Sequence, residues 1–592
     1  MPGVRAMSSA PVLFRDTQEH RVQYNYDVFE QFPNEELQKF PFVTPAELEK
    51  YTTRPKSVRM LARDFVHDSL YNPTYGYFSR QAVLLPEEKT DGDTPLKGNF
   101  PFNDIKSETD FMRAVQLRYM AFEKQFQEER ERQEKASTQG QPTLKEKIDT
   151  LTRRQRRAAW GSAESLELAK EKGRLLEMQS SNSMSESEVD AMAAGQVWHT
   201  PTQLFSPYYG RALARYLVTE YKLHLFPYHD LVLYELGGGA GTLACDVLDY
   251  IEEEEPEVYE RTRYRIVEIS ARLAAQQSER LARHRANGVA QVVHKDILQW
   301  DEDVNEPCFF VALEVLDNLT HDVIRYSMGD LQPYQCVVSI DGTGDFHELW
   351  EPVHDPAIKR YLSLLESVRP TLLPPGAPTY LAWLPDAVRR FLFEHMPFYP
   401  NLTQPHFIPT GALQMMDVLK KHFPQHRLVL SDFSSLPDAA PGVNAPVVQT
   451  RHNGVMIPVT TYLVLQGFFD IFFPTDFQAL RDVYLRVMGS PPVSVAEEEG
   501  HAEPPTTYFT PTYSGEAAAE KSVPRYEDYT LSPAGLFSTG IIPPPLLSSS
   551  HEARILTHSE FLSRYAELPR TQLRDGSNPL VTWYANACWL LT

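Results

Sequence analysis

The chain has 592 residues, enough for more than one ordinary domain, and 42% of them are hydrophobic, enough to build a core. Its formal net charge of −22 argues against a main role in binding nucleic acid, because phosphate recognition needs a basic face. The four cysteines form no CxxC pair and no zinc-ligand spacing, so the sequence predicts neither a metal site nor a disulfide framework. No apolar run reaches the roughly 18 residues of a membrane-spanning helix.

Changes in composition divide the chain into six stretches. These are a polar leader (1–50), an aromatic segment (51–85), a charged helical insertion (86–190), an alternating core (191–487), an acidic, proline-rich segment predicted to be disordered (488–524), and a C-terminal segment predicted to pack on the core (525–592).

The two N-terminal polar stretches each allow two interpretations. Residues 1–15 contain Arg5 and Arg15 but no acid, which is typical of a mitochondrial presequence or of a disordered tail. The insertion mixes acids and bases, which favours solvated helices around 107–135 and 143–180. Its arginine-rich run at 153–157 could instead form a basic patch for a partner or for nucleic acid.

The core alternates apolar runs with amphipathic ones. We expect strands at 229–237, 264–270, 291–297, 307–315 and 427–433, with helices at 241–255 and from the second strand to about 287. Such alternation predicts an α/β fold with a parallel sheet covered on both faces. Ligands of these folds bind at the carboxyl ends of the strands.

A glycine-rich loop follows the first predicted strand. Gly237, Gly239 and Gly241 allow a tight turn with positive φ and leave the backbone bare for a ligand. Alone, such a loop indicates either a structural turn or a dinucleotide site. Glu235 beside it suits a cationic ligand better than a pyrophosphate, which favours S-adenosylmethionine.

Acidic residues end the next three strands. Glu268 lies 27 residues after Gly241 and could accept hydrogen bonds from a ribose diol, as in nicotinamide and S-adenosylmethionine enzymes alike. Asp296, before Ile297, could contact an adenine amino group or cap a turn. Glu314 and Asp317 lie where a substrate would bind, although Asp317 could equally be a cap.

Taken in order, these segments resemble the MidA-like family of S-adenosylmethionine-dependent methyltransferases, which includes the mitochondrial complex I assembly methyltransferase. The matching runs are DFVHDSLYNPTYGYFSR (64–80), HTPTQLFSPYYGRALARYL (199–217), LYELGGGAGTLACDVL (233–248), YRIVEIS (264–270), FVALEVLDNLTHDVI (310–324), LVLSDF (428–433) and LQGFFDIFFPTDFQAL (465–480). The combination of LYNPTYGYF with DIFFPTDF is its most specific part. RILTHSEFL (554–562) is a weaker match.

The resemblance implies a class I methyltransferase (Rossmann-like) core with added helical elements, and S-adenosylmethionine as cofactor. It implies symmetric dimethylation of an arginine on a respiratory complex I subunit in the mitochondrial matrix. The implied cofactor residues are Glu235, Gly237, Gly239, Gly241, Glu268, Asp296 and Ile297, with Tyr75, Gly76, Tyr77, Thr200 and Pro201 as a wall. We expect Glu314 to orient the substrate guanidinium and Asp317 to support it, since carboxylates pair with guanidinium in a bidentate manner.

The chain departs from the family pattern at the site. Gly238 and Ala240 replace a proline and an arginine of the loop, Gln203 replaces a glutamate, Leu313 an asparagine and Asn318 an alanine. These changes keep open a second hypothesis, a catalytically weakened scaffold for assembling a mitochondrial complex. A nicotinamide-dependent oxidoreductase is the third.

Overall fold

The computed structural model describes residues 36–80, 82–83, 100–118, 120, 196–197, 200–371, 373–396, 400–436, 444–452, 455–489 and 553–592. Most of the predicted leader, insertion and disordered segment therefore lies outside the described residues. Within the insertion, residues 108–118 are helical.

The strands are β1 (Val58–Leu61), β2 (Ala82–Val83), β3 (Gln196–Val197), β4 (Leu231–Leu236), β5 (Thr262–Glu268), β6 (Ala290–His294), β7 (Cys308–Leu313), β8 (Asp322–Tyr326), β9 (Pro333–Ile340), β10 (Phe346–Pro352), β11 (His406–Ile408), β12 (His426–Phe433), β13 (Val447–His452), β14 (Val455–Val459), β15 (Asp470–Phe472), β16 (Arg554–Thr557) and β17 (Ala587–Leu591).

The helices are α1 (Pro45–Leu48), α2 (Ala62–Tyr71), α3 (Tyr77–Arg80), α4 (Pro201–Leu204), α5 (Tyr208–His224), α6 (Thr242–Glu254), α7 (Pro256–Glu260), α8 (Ala271–Arg280), α9 (Ala282–Ala286), α10 (Pro356–Val368), α11 (Asp386–His395), α12 (Thr410–His422), α13 (Phe477–Gly489), α14 (His558–Tyr565), α15 (Leu568–Thr571) and α16 (Pro579–Thr582). Within the part of the chain that the structure describes, no helix is both long and apolar enough to cross a bilayer.

The main sheet has the strand order β16-β17-β12-β7-β4-β5-β6. Neighbouring strands from β12 to β6 are parallel, and β17 and β16 are added antiparallel from the C-terminal end of the chain. The parallel sheet that the sequence predicts is confirmed, and all five predicted core strands are present within three residues of their expected ends. The order reverses beside β4, so a crevice opens at the carboxyl ends of β4 and β7.

Two apolar layers cover this sheet. Along β4, Leu231 and Leu233 belong to one buried cluster, while Val232, Tyr234 and Leu236 belong to the other. A strand with side chains buried on both faces is a near-continuous apolar run, and LVLYEL is such a run. Its pattern alone therefore predicts a central strand.

A second, antiparallel sheet of β1, β8, β9, β10 and β11 adjoins the first. The chain enters it directly from β7 through residues 314–321, so this turn lies between the two sheets. Gly467 has φ +76°, and a Cβ there would lie 1.7 Å from the carbonyl oxygen of Tyr75. The two matching runs at 64–80 and 465–480 are far apart in sequence. They are in contact at Tyr75 and Gly467, where glycine leaves no side chain between the backbones.

Arg63 on α2 joins the N-terminal segment to β8 and to the start of α10 through two ion pairs. Its guanidinium donates to Asp322 Oδ2 at 2.7 Å and to both carboxylate oxygens of Asp355, at 2.8 and 2.6 Å. The Arg63 side chain is 14% exposed, and that of Asp322 is 1% exposed. Removing one partner of such a buried pair leaves uncompensated charge.

We therefore expect Arg63→Ala to lower the free energy of unfolding by about 3–5 kcal/mol. Arg360→Ala is the matched control, because Arg360 pairs with Asp417 at a side-chain exposure of 38%. An exposed pair contributes about 0–1 kcal/mol. Urea denaturation measures the free energy of unfolding of both variants. Equal losses would contradict a stabilising role for the buried ion pairs of Arg63.

Candidate functional site

A cavity of about 480 Å³ opens at the carboxyl edge of the main sheet. Its size falls within the roughly 300–1,000 Å³ of small-molecule sites. The predicted site residues that line it are Thr200, Glu235, Gly237, Gly239, Glu268, Asp296, Ile297, Glu314 and Asp317. Gly241 and Tyr77 are not among its lining residues.

The glycine loop forms one wall of the cavity. Gly237, Gly239 and Gly241 have φ of +66°, +52° and +76°, a region that favours glycine. A Cβ at Gly239 would meet nothing within 4 Å, so this backbone faces open space. Gly241 lies at the N-cap of α6, behind the cavity wall. The predicted bare-backbone loop is present, and Gly239 is its most open point.

Glu268 is 3% exposed at the end of β5. One carboxylate oxygen accepts the Ser270 N–H at 2.9 Å, and the other accepts Gln277 Nε2 at 2.9 Å. Gln277 also donates to the Gly239 carbonyl at 2.9 Å, which ties the glycine loop to the acid. Burial raises the pKa of Glu268. A carboxylate offers about four acceptor sites, so two donors leave room for a ligand diol.

Asp296 caps a turn, one of the two roles that the sequence left open, and it also lines the cavity. It caps the turn at Ile297–Gln299 by accepting the Leu298 N–H at 2.9 Å. The same residue, with Ile297, lines the cavity. The cap holds the carboxylate in place without using its full acceptor capacity.

Glu235 is a buried acid in β4. Its Oε2 accepts the Tyr264 hydroxyl at 2.8 Å, and a Cβ on Gly238 would lie 3.3 Å from its carboxyl group. Burial, followed by the charge of Glu268, raises the pKa of Glu235 to about 7. Two acids so close to the glycine loop would repel a pyrophosphate, whereas they would attract a cation.

Glu314 has a strained backbone. Its φ of +53° is rare for a residue with a side chain and costs about 1–3 kcal/mol. The Glu314 N–H donates to the Ser431 carbonyl at 2.8 Å, which fixes this conformation against β12. The half-buried side chain borders the cavity, and burial, followed by the charge of Asp432, raises its pKa well above the usual range.

Asp317 belongs to a cluster of acids that no cation neutralises among the described contacts. Its Oδ1 is buried without a hydrogen-bond partner, and its N–H donates to Asp432 Oδ2 at 3.0 Å. Asp470 is fully buried, and its Oδ1 accepts from Asn318 Nδ2 at 3.3 Å. Its Oδ2 has no hydrogen-bond partner. Burial, then Asp432 and Asp470, raises the pKa of Asp317 well above its usual value.

The N-terminal segment supplies an aromatic wall. Tyr71 and Phe78 line the cavity and stack with ring centroids 5.4 Å apart. The Tyr71 hydroxyl donates to the Asn318 carbonyl at 3.1 Å. Tyr77, which the resemblance implied for this wall, is fully buried and packs edge-on against Phe78. Tyr71 and Phe78 therefore form the aromatic wall, and the predicted Tyr77 does not.

The departures from the family pattern are at the cavity itself, since Gln203, Gly238, Ala240, Leu313 and Asn318 all line it. Sequence reasoning did not single out as site residues His67, Tyr71, Phe78, Gln277, Asp432 and Asp470. Asp432 and Asp470 lie within the runs LVLSDF and DIFFPTDF that carry the family resemblance, so the resemblance could have identified them as site residues. The placement of Gln277 against Glu268 had no comparable signal.

Comparison with known proteins tests the resemblance. Residues 212–491 match the model of a family described as "Putative S-adenosyl-L-methionine-dependent methyltransferase". The protein arginine methyltransferase NDUFAF7 homolog, mitochondrial, of Schizosaccharomyces pombe is 29% identical over 254 residues, which are 41% of this chain and 52% of that protein. Residues 212–491 are thus similar to S-adenosylmethionine-dependent methyltransferases.

The Saccharomyces cerevisiae protein of the same name is 20% identical over 47% of this chain and 65% of its own. The chain thus spans about half to two thirds of the length of these relatives. A Burkholderia thailandensis protein crystallised with S-adenosyl-homocysteine is 17% identical, over 50% of this chain and 64% of its own, with a TM-score of 0.34. That likeness is too low to support the fold, which rests on the strand order above.

The acid cluster generates a pH prediction. An acid whose folded pKa is raised, as at Asp317, keeps its proton in the folded state while the unfolded chain has lost it above about pH 4. Its stabilising contribution is therefore lost as the pH rises through the folded value, which for the neighbouring Asp432 is about 7. We therefore expect the free energy of unfolding to fall as the pH rises from about 4 to about 7, and to level off once the cluster is ionised in the folded state.

Asp317→Asn should flatten this fall and raise the free energy of unfolding at about pH 8.5 by roughly 1 kcal/mol or more. Urea denaturation at several pH values measures it. Glu279→Gln removes a charge from the exposed side of α8 and serves as control. If both variants keep the wild-type slope, Asp317 is not a buried, unneutralised acid.

Proposed function

We propose that this chain binds S-adenosylmethionine and transfers its methyl group to an arginine side chain of a protein. The observation that carries the proposal is the pairing of a bare glycine loop with a buried acid cluster in one cavity. The first suits an adenosyl group, and the second suits a cationic acceptor.

The described residues fit the cofactor. Gly237 and Gly239 line the cavity, and the backbone of Gly239 faces open space. Glu268 has acceptor capacity for a ribose diol, and Asp296 and Ile297 border the position proposed for adenine. The acids Glu235 and Glu268 suit the positive charges of the sulfonium and amino groups. When bound, S-adenosylmethionine supplies an already activated methyl group.

The acid cluster supports a guanidinium substrate. Glu314 borders the cavity on a fixed, strained backbone, and Asp317 has a buried oxygen without a partner. Two carboxylates can orient a planar guanidinium, and positioning alone can contribute about 7–11 kcal/mol to methyl transfer. Once the charge of the bound guanidinium favours the ionised form of Glu314, this carboxylate can also accept the proton that the guanidinium nitrogen loses on methylation.

A protein-sized substrate is supported by a neighbouring, larger cavity of about 1080 Å³. Leu436 lines both cavities, and the turn at residues 314–321 separates them. A polypeptide in the larger cavity would lie against this turn, since Leu316 and His321 line the larger cavity while Glu314 and Asp317 line the smaller one.

The cellular role is proposed from the relatives. Both curated relatives are named mitochondrial protein arginine methyltransferases. We propose the mitochondrial matrix as location and a respiratory complex I subunit as substrate, which rests on the family resemblance. The second candidate is an assembly scaffold of the same fold, which the uncharged residues Gln203 and Leu313 in the cavity wall favour.

Glu268→Gln should weaken S-adenosylmethionine binding by about 10–100-fold, because hydrogen bonds to a charged group contribute about 1.5–3 kcal/mol. Isothermal titration calorimetry measures the dissociation constant, with Glu279→Gln as control and NAD titrated in parallel. An unchanged constant in Glu268→Gln contradicts the assigned role. Binding of NAD alone would favour the oxidoreductase.

Glu314→Gln should keep the affinity for S-adenosylmethionine within about twofold while methyl transfer falls about 100-fold or more, the range of lost acid–base catalysis. The assay uses labelled S-adenosylmethionine with mitochondrial lysate and identifies the modified protein by mass spectrometry. Full turnover in the variant would refute the role of Glu314. Cofactor binding without any labelled protein would support the scaffold.

A further inference from the structure

A second group of ligand atoms lies on the outer side of α6, away from the cavity. Cys245 and Asp249 are one helical turn apart, with Cys245 Sγ 3.7 Å from Asp249 Oδ2. His284, on α9, brings its Nε2 to 3.0 Å from Asp249 Oδ1. The three ligand atoms all lie within 4.8 Å of one another.

The imidazole of His284 is held as a metal-binding imidazole usually is. The ring is 1% exposed, and its Nδ1 lies 2.7 Å from the Tyr259 hydroxyl. Asn287 Nδ2 donates to the same hydroxyl at 3.1 Å, which leaves the Tyr259 oxygen able to accept from Nδ1. In the tautomer whose Nδ1 donates to Tyr259, Nε2 carries the lone pair that a metal ion would take.

Arg283 supplies a positive charge to this group, and a metal ion could take its place. Arg283 contacts Asp249 and also reaches Glu252 Oε2 at 3.0 Å and His284 Nε2 at 3.2 Å. Its side chain is 59% exposed, so it can turn toward Glu252 and solvent. A bound cation could then take the position between the three ligand atoms.

We propose that Cys245, Asp249 and His284 form a zinc site, with water or Glu252 as fourth ligand. Sulfur, imidazole and carboxylate ligands in a compact group suit Zn²⁺, which prefers four-coordinate geometry. On binding, the Cys245 thiol proton passes to solvent and the thiolate sulfur bonds to zinc. The sequence predicts no metal because His284 follows Asp249 by 35 residues, a spacing unlike any common zinc motif.

The site would stabilise the element that carries the glycine loop. The Cys245 N–H donates to the Gly241 carbonyl at 3.1 Å. Arg280, which lines the same depression, donates to the Ala240 carbonyl at 3.3 Å and to Thr242 Oγ1 at 2.7 Å. A metal joining α6 to α9 would therefore restrain both sides of the loop.

The test titrates Co²⁺ into the full chain after treatment with a chelator. We expect one equivalent to produce the absorption of a cobalt–thiolate bond and Zn²⁺ to abolish it. Cys245→Ser should lose this band, whereas Cys588→Ser, a half-buried cysteine on β17, should keep it. Tyr259→Phe should weaken Co²⁺ binding by about 10–100-fold.

Arg283→Ala removes the competing guanidinium and should tighten Co²⁺ binding several-fold. Circular dichroism before titration checks that each variant is folded, and Cys245→Ser is the conservative choice because it keeps the size of the side chain. Absence of the band in the wild-type chain, or its persistence in Cys245→Ser, would overturn the proposal. The group would then be an ion-pair cluster only.

Discussion

The removal of carboxyl groups from water at one edge of the main sheet is the constraint on which this site depends. Glu235, Glu268 and Asp317 are each at least 96% buried, and each raises the cost of ionising its neighbours. Tyr264 and Gln277 offset part of that cost by donating hydrogen bonds. The remainder favours the binding of a positively charged ligand, so the buried acids that destabilise the free protein also select a cation.

The sequence predicts the central architecture because the physical signals there are strong. Strands buried on both faces are continuous apolar runs, and parallel strands place their carboxyl ends at one edge. Glu268, Asp296 and Glu314 each follow or end such a run, so their convergence on one cavity follows from topology. The glycines mark the turn because positive φ is costly for other residues.

Other parts of the site depend on contacts that no local pattern specifies. Phe78, not Tyr77, lines the cavity, because the four-residue helix α3 is too short for a periodicity that would assign the faces of its aromatic side chains. Asp470 is brought to Asn318 by β15, across 152 residues of chain. Gln277 contacts Glu268 only because α8 folds back over β5.

The structure explains how the loop can depart from the family pattern and keep its shape. A side chain at Gly238 would meet Ile266 Cγ2 at 2.8 Å, so the bulk of Ile266 occupies the space that a proline would need. Arg280 reaches the Ala240 carbonyl from α8, which restores a guanidinium beside the loop. No such compensation is evident at Leu313, where an apolar side chain next to Glu314 adds to the desolvation of that carboxyl group. The changes therefore affect the region proposed for the methyl acceptor more than the region proposed for the cofactor. We expect mutations to separate cofactor binding from methyl transfer.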